Sequence, residues 1–147
     1  MTIDSGSIKI VNGSIIYKST NYTNWEIPIA SIIAVGEYTN DQGPLLDDWF
    51  ICFLVDDLNG WHEASNYADG ISDFKKEFLE TKGVSNMYSD LGSSTDYNSF
   101  ILWPNELYGK PLFNFTNVYT SWWSRVLFSP KIKFNLSENI INHFKQS

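Results

Sequence analysis

Between positions 47 and 63 the chain reads DDWFICFLVDDLNGWHE. Two aspartate pairs, Asp47–Asp48 and Asp56–Asp57, flank an apolar run that holds Cys52, and Trp61, His62 and Glu63 follow. Clustered carboxylates can hold a divalent cation or share acid and base work, and a histidine beside them could move a proton. Spacing decides against the two pairs acting together. If the apolar run is a strand, Asp48 and Asp56 stand roughly 26 Å apart at about 3.3 Å per residue. Carboxylates that flank one glycosidic bond sit roughly 5–10 Å apart. The pairs therefore mark the two wet ends of a buried strand. Either could combine with acids from neighbouring strands, Glu37 or Glu63, and a site of Glu37, Asp47 or Asp48 and His62 is the enzymatic reading.

Other chemistry finds less support. A calcium loop needs oxygen ligands at positions one, three and five, glycine at six and glutamate at twelve. With Gly60 as the sixth residue the first is Val55 and the twelfth Asn66; with Gly43 the first is Tyr38. One cysteine and two histidines, His62 and His143, make no zinc set. Cys52, in the middle of WFICFLV, reads as a buried thiol, since a catalytic thiolate needs an electropositive, partly exposed setting. Neither a phosphate loop nor a nucleophile elbow is present. No metal and no cofactor are expected.

These residues need elements to place them. SIKIV and SIIYK flank Asn12–Gly13, a strong hairpin signal because both turn residues tolerate positive φ. Trp25, Ile27 and Ile29 alternate as a strand does, and Pro28 puts that strand at an edge or at its own end. A further strand runs from Ile32 to Tyr38, with Gly36 marking a bulge or a close backbone approach. WFICFLV fits a strand buried on both faces, and WHEASNY follows as the next. Ile71, Phe74, Phe78 and Leu79 then form a helical stripe, with Asp69 or Ser72 to cap its start and Gly83 to end it. NSFILW, KPLFNF and KIKFNL read as strands and PNELYG as a short turn or helix; 117–128 is ambiguous, since Val118, Trp122 and Val126 repeat at four as in a helix while its Thr, Tyr and Trp content suits a strand or irregular chain, the state expected. SENIINHFKQ reads as a last helix capped by Ser137, with Leu136 stapled on Ile141.

Composition bounds the function. The chain has 147 residues, 43% hydrophobic and 18% charged, enough for one folded domain over 1–147. Its net charge of −7 disfavours phosphate backbones, so no nucleic acid is expected. Residues 1–63 carry nine acids against two lysines, while residues 97–147 carry two acids against five bases. No apolar run reaches the roughly 18 residues a membrane span requires. The segment MTIDSGSIKI has no basic stretch followed by an apolar one, so the cytoplasm is the expected compartment.

About six antiparallel strands, a helix, more strands and a last helix make an α+β fold: an antiparallel roll or partly open barrel with a mid-chain amphipathic helix and a C-terminal one. Over residues 8 to 82 that strand order resembles the pleckstrin-homology and GRAM-type domains. The resemblance implies binding of proteins or lipid headgroups in place of catalysis. Its phosphoinositide version needs basic residues in the first hairpin, which here has Lys9 and Lys18 alone. The chain after Gly83 departs from the pattern.

The leading expectation is a non-enzymatic module that binds another, basic protein, as an inhibitor or immunity-type protein of a bacterial toxin system would. Its acidic face would be Asp41, Asp47, Asp48, Asp56, Asp57 and Glu63. Aromatic anchors would come from Trp61 and from Trp122 and Trp123, which on a strand point to opposite faces. A small enzyme and a domain that self-associates through Trp122 and Trp123 are the alternatives.

Overall fold

A computed structural model of the chain describes residues 4–41, 47–55, 60–87, 91, 97–118 and 131–145. Asp56, Asp57, Trp122 and Trp123 lie outside the described residues, as does most of the ambiguous stretch 117–128. Strands β1 (Ser7–Val11), β2 (Ser14–Lys18) and β3 (Trp25–Pro28) form one antiparallel sheet. The hairpin turn is where the sequence puts it, with φ of 50° at Asn12 and 78° at Gly13. Pro28, the last residue of β3, lies on a sheet edge where its missing N–H breaks no ladder.

A second sheet holds β4 (Ile32–Thr39), β5 (Trp49–Val55), β6 (Trp61–Ser65) and β7 (Asn98–Trp103), in the antiparallel order β6-β5-β4-β7. Helix α1 (Ile71–Lys82) interrupts the chain between β6 and β7. Strands β8 (Phe113–Val118) and β9 (Lys131–Leu136) make a separate antiparallel pair, and helix α2 (Glu138–Lys145) follows. The fold is thus α+β; among the described residues there are antiparallel sheets and two α-helices, and no sheet closes into a barrel.

The four-stranded sheet is buried on both faces, and β5 shows why its sequence is apolar throughout. Ile51 and Phe53 enter a core shared with Ile8, Ile15 and Tyr17 of the first sheet and with Phe74 and Phe78 of α1. Phe50, Cys52 and Leu54 enter a second core with Leu112 and Phe113 by the β8–β9 pair and Ile140 of α2. The alternation follows from the pleat, and each large apolar side chain so buried contributes roughly 1.5–3 kcal/mol. Gly36 provides both features its position suggests. The β4–β7 register shifts between Val35 and Gly36. A Cβ at Gly36 would lie 2.6 Å from Leu112 Cδ2 and 2.8 Å from the Phe100 carbonyl oxygen.

The caps differ from expectation. Neither Asp69 nor Ser72 caps α1; Gly70 holds the N-cap position, with φ 84° and no side-chain bond. Asp69 is committed to β1 instead, its N–H donating to Gly6 and its carbonyl accepting from Ile8. Ser72 falls inside the first turn. Gly83 does end α1, in the left-handed region, with its N–H on the Leu79 carbonyl. Ser137 precedes α2 and its carbonyl accepts the Ile141 N–H, but its hydroxyl donates to the Pro111 carbonyl at 2.7 Å. No helix among the described residues is long and apolar enough to cross a membrane.

Candidate functional site

The aspartates at the start of β5 serve different partners. Asp47 accepts the Ser65 hydroxyl at 2.7 Å, and Asp48 accepts the Tyr67 hydroxyl at 2.6 Å. Asp41 is exposed. Glu37 and Glu63 do not join them, because each meets β5 at its middle: Glu37 lies opposite Ile51 and Glu63 opposite Cys52. Adjacent residues of a strand face opposite ways, so the two glutamates sit on opposite faces of the sheet. Among the described residues no three of His, Cys, Asp and Glu are placed to hold a metal ion.

On the α1 face, Glu37 is fully buried and accepts a bond from the equally enclosed Lys75 at 3.0 Å. The Lys75 ammonium also stands 5.1 Å from the centre of the Trp49 ring. His62 pairs with Phe53, on a strand separated from Glu37 by β5, and its ring meets Trp25 at 5.6 Å. The structure therefore does not bring Glu37 and His62 together. Cys52 is fully buried and burial pushes its thiol pKa well up, as an inert core cysteine requires. His143 is tied to Glu106 at 3.3 Å.

The opposite face opens at β6, an edge strand. Trp61, Glu63 and Ser65 share one side of β6 by the period of two, and with Phe50 of β5 they line a cleft of about 550 Å³. Its other wall is the β2–β3 connection, Thr20 to Thr23, and Trp25 and His62 complete the lining. The wall is firmly held. Asp4 accepts both the N–H and the hydroxyl of Thr20 at 2.8 Å, and Asn24 accepts the Ser19 N–H. Tyr22 sets its ring edge-on to Phe50 at 5.5 Å, and its hydroxyl faces Asp47. Burial, with that carboxylate beside it, raises the Tyr22 pKa to about 12.

Glu63 is the charged group of this cleft. The Trp61 indole donates to its Oε2 at 3.2 Å, and the Tyr38 hydroxyl donates to it from β4. The Trp25 indole donates to its backbone carbonyl at 2.8 Å, which occupies part of the open edge. Burial raises the Glu63 pKa, and the Tyr38 and Trp61 donors offset part of that rise. Neither the Lys75–Glu37 nor the His143–Glu106 ion pair involves Glu63. A half-enclosed carboxylate among indole, phenol and phenyl rings suits a cation, which gains from the charge and from ring faces.

Of the residues singled out by sequence, the cleft gathers Trp61, His62 and Glu63, with Asp47 bonded to its Ser65 and beside its Tyr22. The Thr20–Thr23 wall and Trp25's place in the cleft are not evident from the sequence pattern. A tyrosine inside the polar run STNYTN is the one local signal, since an aromatic in a turn-rich segment needs a surface to cover. Comparison of the chain with protein families, with curated proteins and with solved structures returns no match.

Proposed function

We propose that this protein is a non-enzymatic binding module that recognises another protein through the cleft at the β6 edge. One observation carries the reading: rigid aromatic anchors, Trp25 and Trp61, lie beside a carboxylate without a cationic partner among the described residues, next to Asp47. Aromatic residues in partly closed pockets commonly carry most of an interface's energy, and flanking acids speed association with a basic partner. An acidic inhibitor or immunity-type protein that blocks a basic toxin surface would use such a face, and this is the role we assign. A pleckstrin-homology-like relationship belongs to the same proposal. A three-stranded sheet, strands of a second sheet and an amphipathic helix, in that order, support it.

The test is affinity capture from a lysate of the source organism, with wild type and Trp61→Ala side by side. Near-ultraviolet circular dichroism checks that the variant is folded. A stoichiometric basic protein should be retained by wild type and lost with Trp61→Ala. Its recovery should fall between about 0.1 M and about 0.5 M salt, as exposed charges become screened. A partner captured equally by both proteins would move recognition away from the cleft and overturn the proposal.

A further inference from the structure

We infer that the cleft at the β6 edge receives an arginine side chain of the partner protein, with Glu63 as the counter-ion of its guanidinium. The inference rests on the binding-module reading and names what the cleft takes.

Charge selects a cation. Apart from His62, the residues that line the cleft are neutral except for Glu63, so the local field is negative. Phosphates and carboxylates are repelled from such a site. A neutral sugar would leave the carboxylate half-enclosed with only neutral donors. Burial already disfavours the ionised form of Glu63, and an incoming cation relieves that imbalance.

Shape and hydration then select guanidinium over ammonium. A guanidinium is planar, sheds water more easily than an ammonium, and stacks on aromatic faces while bonding a carboxylate with two N–H groups. Trp25, Trp61, Tyr22 and Phe50 supply aromatic lining. An ionised carboxylate has about four acceptor positions, and the Trp61 and Tyr38 donors use two of them. Two remain for a fork. The polar wall from Thr20 to Thr23 can receive further guanidinium N–H groups, since hydroxyl and amide oxygens accept. The space, about 550 Å³, is more than one side chain fills, which leaves room for the partner's flanking backbone.

The 147-residue chain can be titrated with N-acetyl-arginine amide while the indole N–H resonances are followed by NMR. The lysine and citrulline counterparts are run in parallel. The Trp25 and Trp61 signals should shift saturably with the arginine probe, less with lysine and not with citrulline, which keeps the shape but lacks the charge. Trp103, whose ring lies 5.0 Å from the Lys82 ammonium, should stay still and report non-specific contact if it moves. Glu63→Gln should weaken the response at least about tenfold, the loss expected for a charge-assisted bond. Equal shifts with citrulline or lysine, or an unchanged response in Glu63→Gln, would overturn the assignment. If arginine fails while a protein partner is still captured in a Trp61-dependent way, the arginine assignment falls alone. If both fail, the cleft is not the recognition site at all.

Discussion

Both faces of the four-stranded sheet enclose a glutamate, and they treat it in opposite ways. Glu37 and Glu63 lie opposite neighbouring residues of β5, Ile51 and Cys52. Glu37 has Lys75 at 3.0 Å and no measurable exposure. Glu63 has neutral donors from Trp61 and Tyr38 and a cleft in front of it. The difference separates structure from function. An enclosed carboxylate matched by a cation from the same chain is part of the fold's own wiring. One left unmatched beside an opening lowers stability slightly and keeps its charge for something that arrives from outside.

Removing the matched cation should produce the largest effect. Lys75→Met leaves Glu37 buried without its ion pair and should destabilise by about 3–5 kcal/mol. Urea unfolding would read this as a lower midpoint with an unchanged slope. The double variant Glu37→Gln, Lys75→Met should recover much of the loss, because no buried charge remains. If the single variant is as stable as wild type, the Glu37 side is not the closed, internally compensated face described here.

Next in size is a change on the other face. Gly36→Ala places a methyl 2.8 Å from the Phe100 backbone oxygen and 2.6 Å from Leu112, where the backbone contact cannot be relieved by a rotamer change. Roughly 1–3 kcal/mol of destabilisation is expected, as for other overpacked sites. Because Leu112 belongs to the second core with Phe50, the tyrosine edge contact on Phe50 should loosen as well. Weaker partner capture by Gly36→Ala, with Glu63 intact, would show that the cleft depends on the packing beneath it. Full capture and wild-type stability together would mean that the backbones do not approach as closely as this.

Much of this arrangement was legible in the sequence, and the gaps have physical causes. The Asn12–Gly13 turn is set by local φ preference, and the seven apolar residues of β5 by burial on two faces, so both can be read without knowing neighbours. The α1 stripe also shows, and Lys75 lies on it: with Ile71 and Phe74 before it and Phe78 after, position 75 falls on the same helical face. A lysine there signals a buried partner, and Glu37 in a strand of otherwise apolar pattern was that partner. What local pattern could not give is pairing. The pairing of β7 with β4, across β5, β6 and α1, is a long-range contact that no local pattern encodes. The cleft depends on the same kind of information, since Thr20–Thr23 reaches β6 only through tertiary packing. Asp69 misled the cap assignment because its backbone bridges to β1, a contact invisible to a local rule.

The smallest stability effect should come from Glu63 itself, and its pH dependence is more telling than its size. The folded chain holds the Glu63 proton more tightly than an ordinary glutamate, whose pKa is 4.5. Above that value the unfolded chain has released a proton that the folded chain still keeps, so stability falls as pH rises. The fall ends once pH passes the folded pKa, where both states are ionised. Below 4.5 both are protonated and burial of the acid carries no charge penalty. Glu63→Gln deletes this response. Measured by urea unfolding across pH 3 to 8, the variant should gain on wild type as pH rises from the ordinary glutamate range and then hold a constant lead. A difference that stays flat with pH would mean that Glu63 is not desolvated in the free protein. The arginine probe should reverse the order at neutral pH: saturating it should stabilise wild type and leave Glu63→Gln nearly unchanged, because a ligand stabilises only the form that binds it.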